Sequence, residues 1–420
     1  MPGGHAGTRI CYPDTWGTAS SRDPQTARVA SVAALFAAKM KIAIIGTRGI
    51  PAAYGGFETL AEELSTRLVQ RGHDVWVYCR AHAVRERLAE YRGVRLLFVP
   101  AIRHKYLDTV SHTFLSVLHL LVRGPLVDVV LVCNAANSAF CGLTRAAGIG
   151  TVLNVDGVER RRKKWNWMGR AWYRMSERLA TWLPAAIVTD ARAIQCYYRD
   201  RYGKQSRFIP YGASPPGRAG TDQLQRLGLQ PRNYVLYVSR LEPENNALLV
   251  VRAFESVRAN VGLAMVGDAP YAAGYIRRLR QTSDRRILFP GAVYGEGYRQ
   301  LRAHALLYVH ATEVGGTHPA LIEAMAAARP VLYLDTIENR EVAADSGLAF
   351  SSSPDDLAAK MQFLLDCPEE RQRLAALASE RARRLYDWEE ITTAYEELFR
   401  EINHGSRRAG RIDTDGRRSA

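Results

Sequence analysis

The feature that most constrains the fold is a repeated alternation of short β-branched runs with longer stretches of helical period. KIAIIG gives way to ETLAEELSTRLVQRG and then to DVWVYC, and further on come RLLFVP, VDVVLVC, TVLNV and AAIVTD. Apolar strands separated by amphipathic helices argue for a parallel, doubly wound sheet. The pattern stops in YGASPPGRAGTDQLQRLGLQPR, dense in Pro and Gly, and restarts with YVLYVS, VGLAMVG, ILFPG, LLYVHA and PVLYLD. Two Rossmann-like halves in tandem are therefore expected, with a ligand cleft at the carboxyl ends of both sheets. The boundaries read as a leader over 1–39, a first domain over 40–210, a linker over 211–232, a second domain over 233–385, an amphipathic terminal helix over 386–403 and a polar, disordered tail over 404–420. The leader, rich in Gly, Pro, Thr and Ser ahead of MKIAIIG, reads as an overlong start or a disordered segment, in preference to a signal peptide.

Charge divides the two halves. Residues 40–210 hold 26 Lys and Arg against 13 Asp and Glu, whereas 211–403 hold 22 against 25. A basic half fits nucleic acid, an anionic membrane face or a phosphate-bearing substrate. Nucleic acid ranks last, because aromatics are not interleaved with the basic residues as in a reading module. The most apolar stretch, Phe114 to Cys133, is broken by Arg123, Pro125 and Asp128, so no membrane span is expected. The six cysteines show neither a disulfide framework nor zinc-like spacing, which points to a reducing cytosol. The lone Asp-x-Asp spacing, Asp413 with Asp415, lies in the tail, so no metal site is expected.

Chemistry concentrates in a few stretches. In HATEVGGTHPALIEAM a glycine turn precedes a helix start near Pro319, where free N–H groups and the helix dipole suit a diphosphate or sugar hydroxyls. Glu323, one turn inside, suits two vicinal ribose hydroxyls; the same acid also serves a helix dipole. SRLEPENN places Arg240 at a strand's carboxyl end, where a guanidinium clamps a leaving diphosphate or pairs with Glu242 or Glu244. TVLNVDGVERRRKKWNW places Asp156 just past a strand, at the same cleft mouth or as a helix cap. The run Arg160, Arg161, Arg162, Lys163 and Lys164, with Trp165 beside it, reads as a contact for anionic lipid or for a lipid-linked diphosphate, or as a solvated face. GTRGIPAAYGGFET lacks the G-x-G-x-x-G spacing, and the second strand ends in Cys79 and Arg80 without an acid, which argues against a dinucleotide cofactor.

Taken together, GTRGIPAAYGGFET, NVDGVERRRKKW, FIPYGA, SRLEPENN and GGTHPALIEAM carry a resemblance. From Met40 to about Ile402 the chain resembles the retaining GT-B glycosyltransferases of family 4 (group 1), in the rhamnosyltransferase-like branch whose N-terminal domain of unknown function is typical of bacterial capsule and cell-wall rhamnosyltransferases. The resemblance implies an α/β GT-B fold, two Rossmann-like domains facing across a cleft, and a last helix that crosses back to the first domain. It makes Glu323 the ribose-binding acid and Arg240 the diphosphate-binding base. Many members of the wider family carry a Glu where this chain has Gly315, and a Lys where it has Asn245; the branch shares both departures. The sugar ring is then expected to meet the amides of Gly316 and Thr317 and the imidazole of His318, with Asn245 nearby. Gly55 and Gly56 are expected to bring backbone close to the donor, while Arg48 and Tyr54 face the acceptor. In retaining transfer the departing phosphate can itself take the acceptor's proton, so Asp156 is expected to orient the acceptor hydroxyl or support the cationic sugar.

The resulting expectation is a transferase of L-rhamnose from dTDP-rhamnose to a lipid-diphosphate-linked or growing saccharide, without cofactor or metal. It would act in the cytoplasm, peripheral on the inner face of the membrane. The alternatives are another nucleotide hexose, UDP- or GDP-linked, a GT-B epimerase, or a non-catalytic nucleotide-sugar binding protein.

Overall fold

The structure is a computed structural model that describes residues 38–416 except 54, 85, 105, 163, 164, 270 and 271, with side chains described through 405. The leader thus lies almost wholly outside the described residues, and Tyr54, Lys163 and Lys164 lie outside them too.

The first sheet is built on KIAII. This strand, β1 (Lys41–Ile45), is apolar after its first residue and buried on both faces, as a central strand of a parallel sheet must be. Around it lie β2 (Asp74–Arg80), β3 (Glu90–Tyr91), β4 (Val94–Val99), β5 (Val129–Cys133), β6 (Gly150–Asn154), β7 (Ala186–Thr189) and β8 (Arg207–Phe208). Their order is β3-β4-β2-β1-β5-β6-β7-β8, parallel except for the short β3–β4 pairing. Ile44 sits opposite Val77 on one side and Leu131 on the other. The apolar stretch from Phe114 to Cys133 divides at Arg123 into a helix and strand β5, and no helix among the described residues is long and apolar enough to cross a membrane.

The second sheet comprises β9 (Tyr234–Val238), β10 (Gly262–Val266), β11 (Ile287–Gly291), β12 (Leu307–His310), β13 (Val331–Leu334) and β14 (Leu348–Phe350), all parallel, in the order β11-β10-β9-β12-β13-β14. In both sheets the strand order reverses beside the first strand, between β1 and β5 and between β9 and β12, and ligands of open α/β sheets bind outside the carboxyl ends at such points.

Longer helices of the first half include α1 (Gly56–Gln70), α2 (Asp108–Val122), α3 (Trp167–Ala180) and α4 (Arg192–Tyr202); α5 (Gly295–His304) and α6 (Pro319–Ala326) belong to the second. The terminal helix α7 (Trp388–Gly416) packs back onto α1, β5 and β6 of the first sheet. Its Tyr395 and Phe399 are fully buried, and Asn154 Nδ2 donates to Tyr395 Oη at 2.8 Å. Glu396 takes hydrogen bonds from Arg71 and His73, each at 3.0 Å. The backbone of α7 continues beyond His404, where the sequence reads as a disordered tail: no proline interrupts the segment, and its three glycines lower helix propensity without ending the hydrogen-bond ladder.

Candidate active site

A cavity of about 680 Å³ lies at the carboxyl ends of both sheets. Gly46 and Arg48 after β1, Asn134 after β5 and Asp156 after β6 line it from one side; Arg240 after β9, Asp268 after β10, and Gly315, Thr317 and His318 after β12 line it from the other. The chain turns into this space at Gly46, whose φ is +96° and where a Cβ would come within 2.5 Å of the Cys133 carbonyl oxygen. No other residue type fits such a turn without strain.

At the centre of the site two carboxyl groups meet. Asp156 lies two residues past β6 with a left-handed φ of +52°, a conformation Asp and Asn tolerate best. Its carboxyl neighbours that of Asp190, which directly follows β7 and is fully buried. Asp190 Oδ2 accepts from the Thr317 amide at 2.8 Å, and the Thr317 hydroxyl donates to the Asp190 carbonyl. No N–H or O–H donor among the described residues reaches Asp190 Oδ1. Two ionised carboxylates cannot share so small a space, so one proton held between them satisfies both groups. Burial, then the neighbouring Asp156, pushes Asp190 well above the usual carboxylate range, and burial together with Glu159 raises Asp156. Asp190 therefore carries the shared proton, and the pair holds a single negative charge.

Surrounding groups balance that charge. The buried Arg162 guanidinium donates to Glu159 at 2.5 Å; despite burial, Glu159 and Asp156 hold it firmly protonated. The imidazoles of His310 and His318 lie 4.7 Å apart, and burial drives His310 down to about 3. Burial, with His310, Arg162 and Arg240 nearby, lowers His318 well below its ordinary value, so its ring faces the cavity neutral. A Cβ on Gly315 would lie 2.2 Å from His318 Cε1, so the His318 ring fills the space a side chain at 315 would take.

The cavity walls are tied across the two halves. Besides the Asp190–Thr317 contact, the Glu341 carboxylate accepts from the amides of Arg192 and Ala193 at 2.6 and 3.0 Å, satisfying N–H groups at the start of α4. Gly56 faces Pro319, and Gly316 approaches Asp190 so closely that a Cβ there would sit 2.2 Å from Asp190 Oδ1.

Of the residues singled out in the sequence, Arg48, Gly55, Gly56, Asp156, Arg162, Trp165, Arg240, Thr317 and His318 line the cavity. Asp156 is no helix cap, since the short turn after it begins at Glu159 without a side-chain cap. Arg240 is about one-third exposed and only loosely paired, 3.7 Å from Glu242. Others are placed differently. The Thr317 amide is spent on Asp190, and Gly316 is buried with its Cα side against that carboxylate. Asn245 turns inward, its Nδ2 donating to the Arg240 carbonyl at 2.6 Å, and thereby shapes the loop that presents Arg240. Glu323 does not border the cavity; its Oε2 accepts from Tyr298 Oη at 2.6 Å and pairs with Arg302 at 3.2 Å, both on α5. The cation run is largely engaged internally: Arg160 donates to Glu177 and Tyr197, Arg161 lies over the Tyr197 ring, and Arg162 is buried. Of the described members of the run, Arg160 and Arg162 are thus tied to acids of their own domain, and Arg161 remains exposed.

Asp190 was missed in the sequence, although it stands at the end of the apolar run AAIVTD, where an acid closing a buried strand is itself a signal. Glu242 and Asp268, which line the second-half wall, are strand-end acids of the same kind.

Comparison with known proteins agrees with this geometry. Residues 39–214 match a family described as a domain of unknown function (DUF1972), and residues 232–367 match glycosyl transferases group 1. No curated protein matches the chain. Among solved structures, the chain is similar to sucrose-phosphate synthase from Thermosynechococcus elongatus, with a TM-score of 0.72 and 18% identity over 87% of this chain and 100% of the other. Anabaena HepE in complex with UDP-glucose gives a TM-score of 0.68 and 19% identity over 86% and 99%. WaaG, a glycosyltransferase involved in lipopolysaccharide biosynthesis, gives 0.65 and 18% over 84% and 98%. The chain thus has the GT-B fold of two facing parallel-sheet domains, and this fold with the group 1 match over its second half supports a glycosyltransferase of the GT-B type.

Proposed function

We propose that the protein is a retaining glycosyltransferase that moves L-rhamnose from dTDP-rhamnose onto a lipid-diphosphate-linked saccharide, without a metal ion, at the inner face of the cytoplasmic membrane. The observation that carries this reading is the convergence of Arg240, the start of α6 and the Asp156–Asp190 pair on one cavity between two switch points. Arg240 and the positive end of α6 suit a diphosphate, whose negative charge grows as the bond from the anomeric carbon to its oxygen breaks. The acceptor oxygen attacks the same face of the sugar, and its proton passes to the departing phosphate oxygen. Asp156, carrying the single charge of the pair, supports the positive sugar and orients the acceptor hydroxyl. The Asp190 proton keeps that charge from doubling, while Asp190 Oδ2, accepting from the Thr317 amide, ties the wall from the second half in place.

A 6-deoxy sugar is supported by the lining near Gly315. A neutral imidazole fills the space there, so position 315 offers no carboxylate to grip an additional hydroxyl. A second reading, transfer of a UDP-linked hexose, is favoured by the UDP-glucose held by the similar HepE structure. Incubation with dTDP-rhamnose, UDP-glucose and GDP-mannose, each with a polyprenyl-diphosphate-linked saccharide and EDTA, separates the readings. The proposal expects a glycolipid product from dTDP-rhamnose alone. Product from UDP-glucose alone overturns the donor, loss of turnover in EDTA overturns metal independence, and nucleotide binding without product overturns catalysis.

A further inference from the structure

We infer that the outer faces of α2 and α3 form a docking surface for an anionic lipid bilayer, separate from the cation run. This rests on the membrane-linked acceptor proposed above. On α2, Phe114, Leu118 and Val122 stand four residues apart along one exposed stripe, while Val117 and Leu120 face the core. On α3, the exposed face carries Trp167, Met168 and Met175 and continues into Trp182; Trp167 and Trp182 are 77% and 79% exposed. Between these helices runs the turn Ala135–Phe140 and the short helix Cys141–Ala146, on which both pack. The Phe114 ring meets Phe140 at 5.8 Å, Arg145 donates to the Trp182 carbonyl at 3.0 Å, and Leu143 is exposed between them. The two stripes therefore join into one surface.

Large exposed aromatics rimmed by cations mark an interfacial helix better than a protein interface, where a partner excludes water from its aromatic anchors. Arg123, Arg145, Arg170, Arg174 and Arg178 are all exposed around this surface. The two acids in these helices are turned away: Asp108 pairs with Arg80, and the buried Glu177 accepts from Arg160, Tyr197 and Tyr202. Charge complementarity commits the occupant to anionic lipid. Position agrees with this, since Asp108 and Thr109 at the start of α2 and Trp165 just ahead of α3 line the cavity, and Tyr106 packs on Trp165 at 5.7 Å. A lipid anchor lying in the bilayer would then present its saccharide at the rim of the site.

The test is sedimentation of the full chain with vesicles of phosphatidylglycerol and phosphatidylcholine, compared with phosphatidylcholine alone. Binding is expected only to the anionic vesicles and is expected to weaken with salt. Arg174→Glu with Arg178→Glu should lower the partition at least tenfold, at about fivefold per arginine. Trp167→Ser with Trp182→Ser should lower it comparably, while Arg161→Glu should leave it within about twofold. All variants should keep the wild-type melting temperature. Equal partition of the wild type and the two double variants overturns the inference, as does a loss confined to Arg161→Glu. A dimer in solution that Trp182→Ser dissociates overturns it too, because the face would then be covered by a second copy. No transfer is measured here, so failure of this surface and failure of the proposed activity are read separately.

Discussion

The shared proton of the Asp156–Asp190 pair separates two substitutions that otherwise look alike. In Asp190→Asn the amide oxygen can still accept from the Thr317 amide, now at 2.8 Å from Asp190 Oδ2, and the amide NH₂ can donate to Asp156 where the carboxyl proton does. Asparagine thus copies the protonated acid, and both stability and turnover should stay within about 1 kcal/mol of wild type. Asp190→Ala leaves the Thr317 amide without its acceptor in a buried site and leaves Asp156 without its donor. Each loss costs about 1–3 kcal/mol, so a combined loss of about 2–6 kcal/mol of stability is expected, with a lower kcat/KM in parallel. The pH dependence supplies an independent check. Because the folded pKa of Asp190 is raised, its contribution is complete below the unfolded value near 3.8 and is lost as pH rises through the folded value. Wild type should therefore lose stability relative to Asp190→Asn as pH rises above about 4, and the asparagine variant should overtake it at alkaline pH. Thermal unfolding from pH 5 to 9, with sugar transfer measured in parallel, gives both readings. If Asp190→Asn is as damaging as Asp190→Ala at every pH, the acid is needed ionised and the shared proton is wrong.

Further predictions concern neighbouring contacts. Arg240→Ala, at a partly exposed and loosely paired guanidinium, should lower kcat by about 10²- to 10³-fold with little change in melting temperature; an unaltered kcat would place the diphosphate elsewhere. Glu323→Gln keeps an acceptor for Tyr298 but removes the charge facing Arg302, and because Glu323 does not border the cavity, donor affinity by calorimetry should stay within about twofold of wild type. A fall of about tenfold would show that the acid reaches the ribose and is more than a tie between α6 and α5. Although burial opposes it, hydrogen bonds from His73 and Arg71 hold Glu396 down at about 2, so its contribution is present above the unfolded value near 4.5 and is lost as pH falls toward 2. Glu396→Gln should accordingly cost about 1–2 kcal/mol at pH 7 and much less near pH 3, as read by denaturant melts; a pH-independent cost would assign the effect to packing of α7.

Much of this architecture was legible because buried parallel strands must be apolar on both faces. KIAII and VDVVLVC announce central strands by composition alone, and the restart at YVLYV announces the second sheet. Asp156 and Arg240 were legible for a related reason, since a charged residue ending such a strand is delivered to the cleft. What the chain does with its neighbours was not legible. Asp190 reads like any strand-end acid until β7 is set beside β6 and the Thr317 loop is brought from the other half. Asn245 lies five residues after Arg240, yet its side chain turns back onto the Arg240 carbonyl and misses the cavity. Five cations in a row suggest free charge, but Arg160 and Arg162 meet buried acids contributed by Glu177 and Glu159. The exposed arginines instead lie scattered along α3 at helical spacing, which shows as one face only when the helix is built.

The central claim is that Arg240 and the carboxyl pair make this cavity the site of sugar transfer from a nucleotide donor. The most direct measurement is a proton NMR time course of dTDP-rhamnose with the lipid-linked acceptor, run on wild type, Arg240→Ala and Asp156→Asn. Wild type should convert donor to a glycosylated product of unchanged anomeric configuration. The two variants, folded by their melting curves, should form it at least a hundredfold more slowly. Product of inverted configuration, or equal rates in all three proteins, would contradict the assignment.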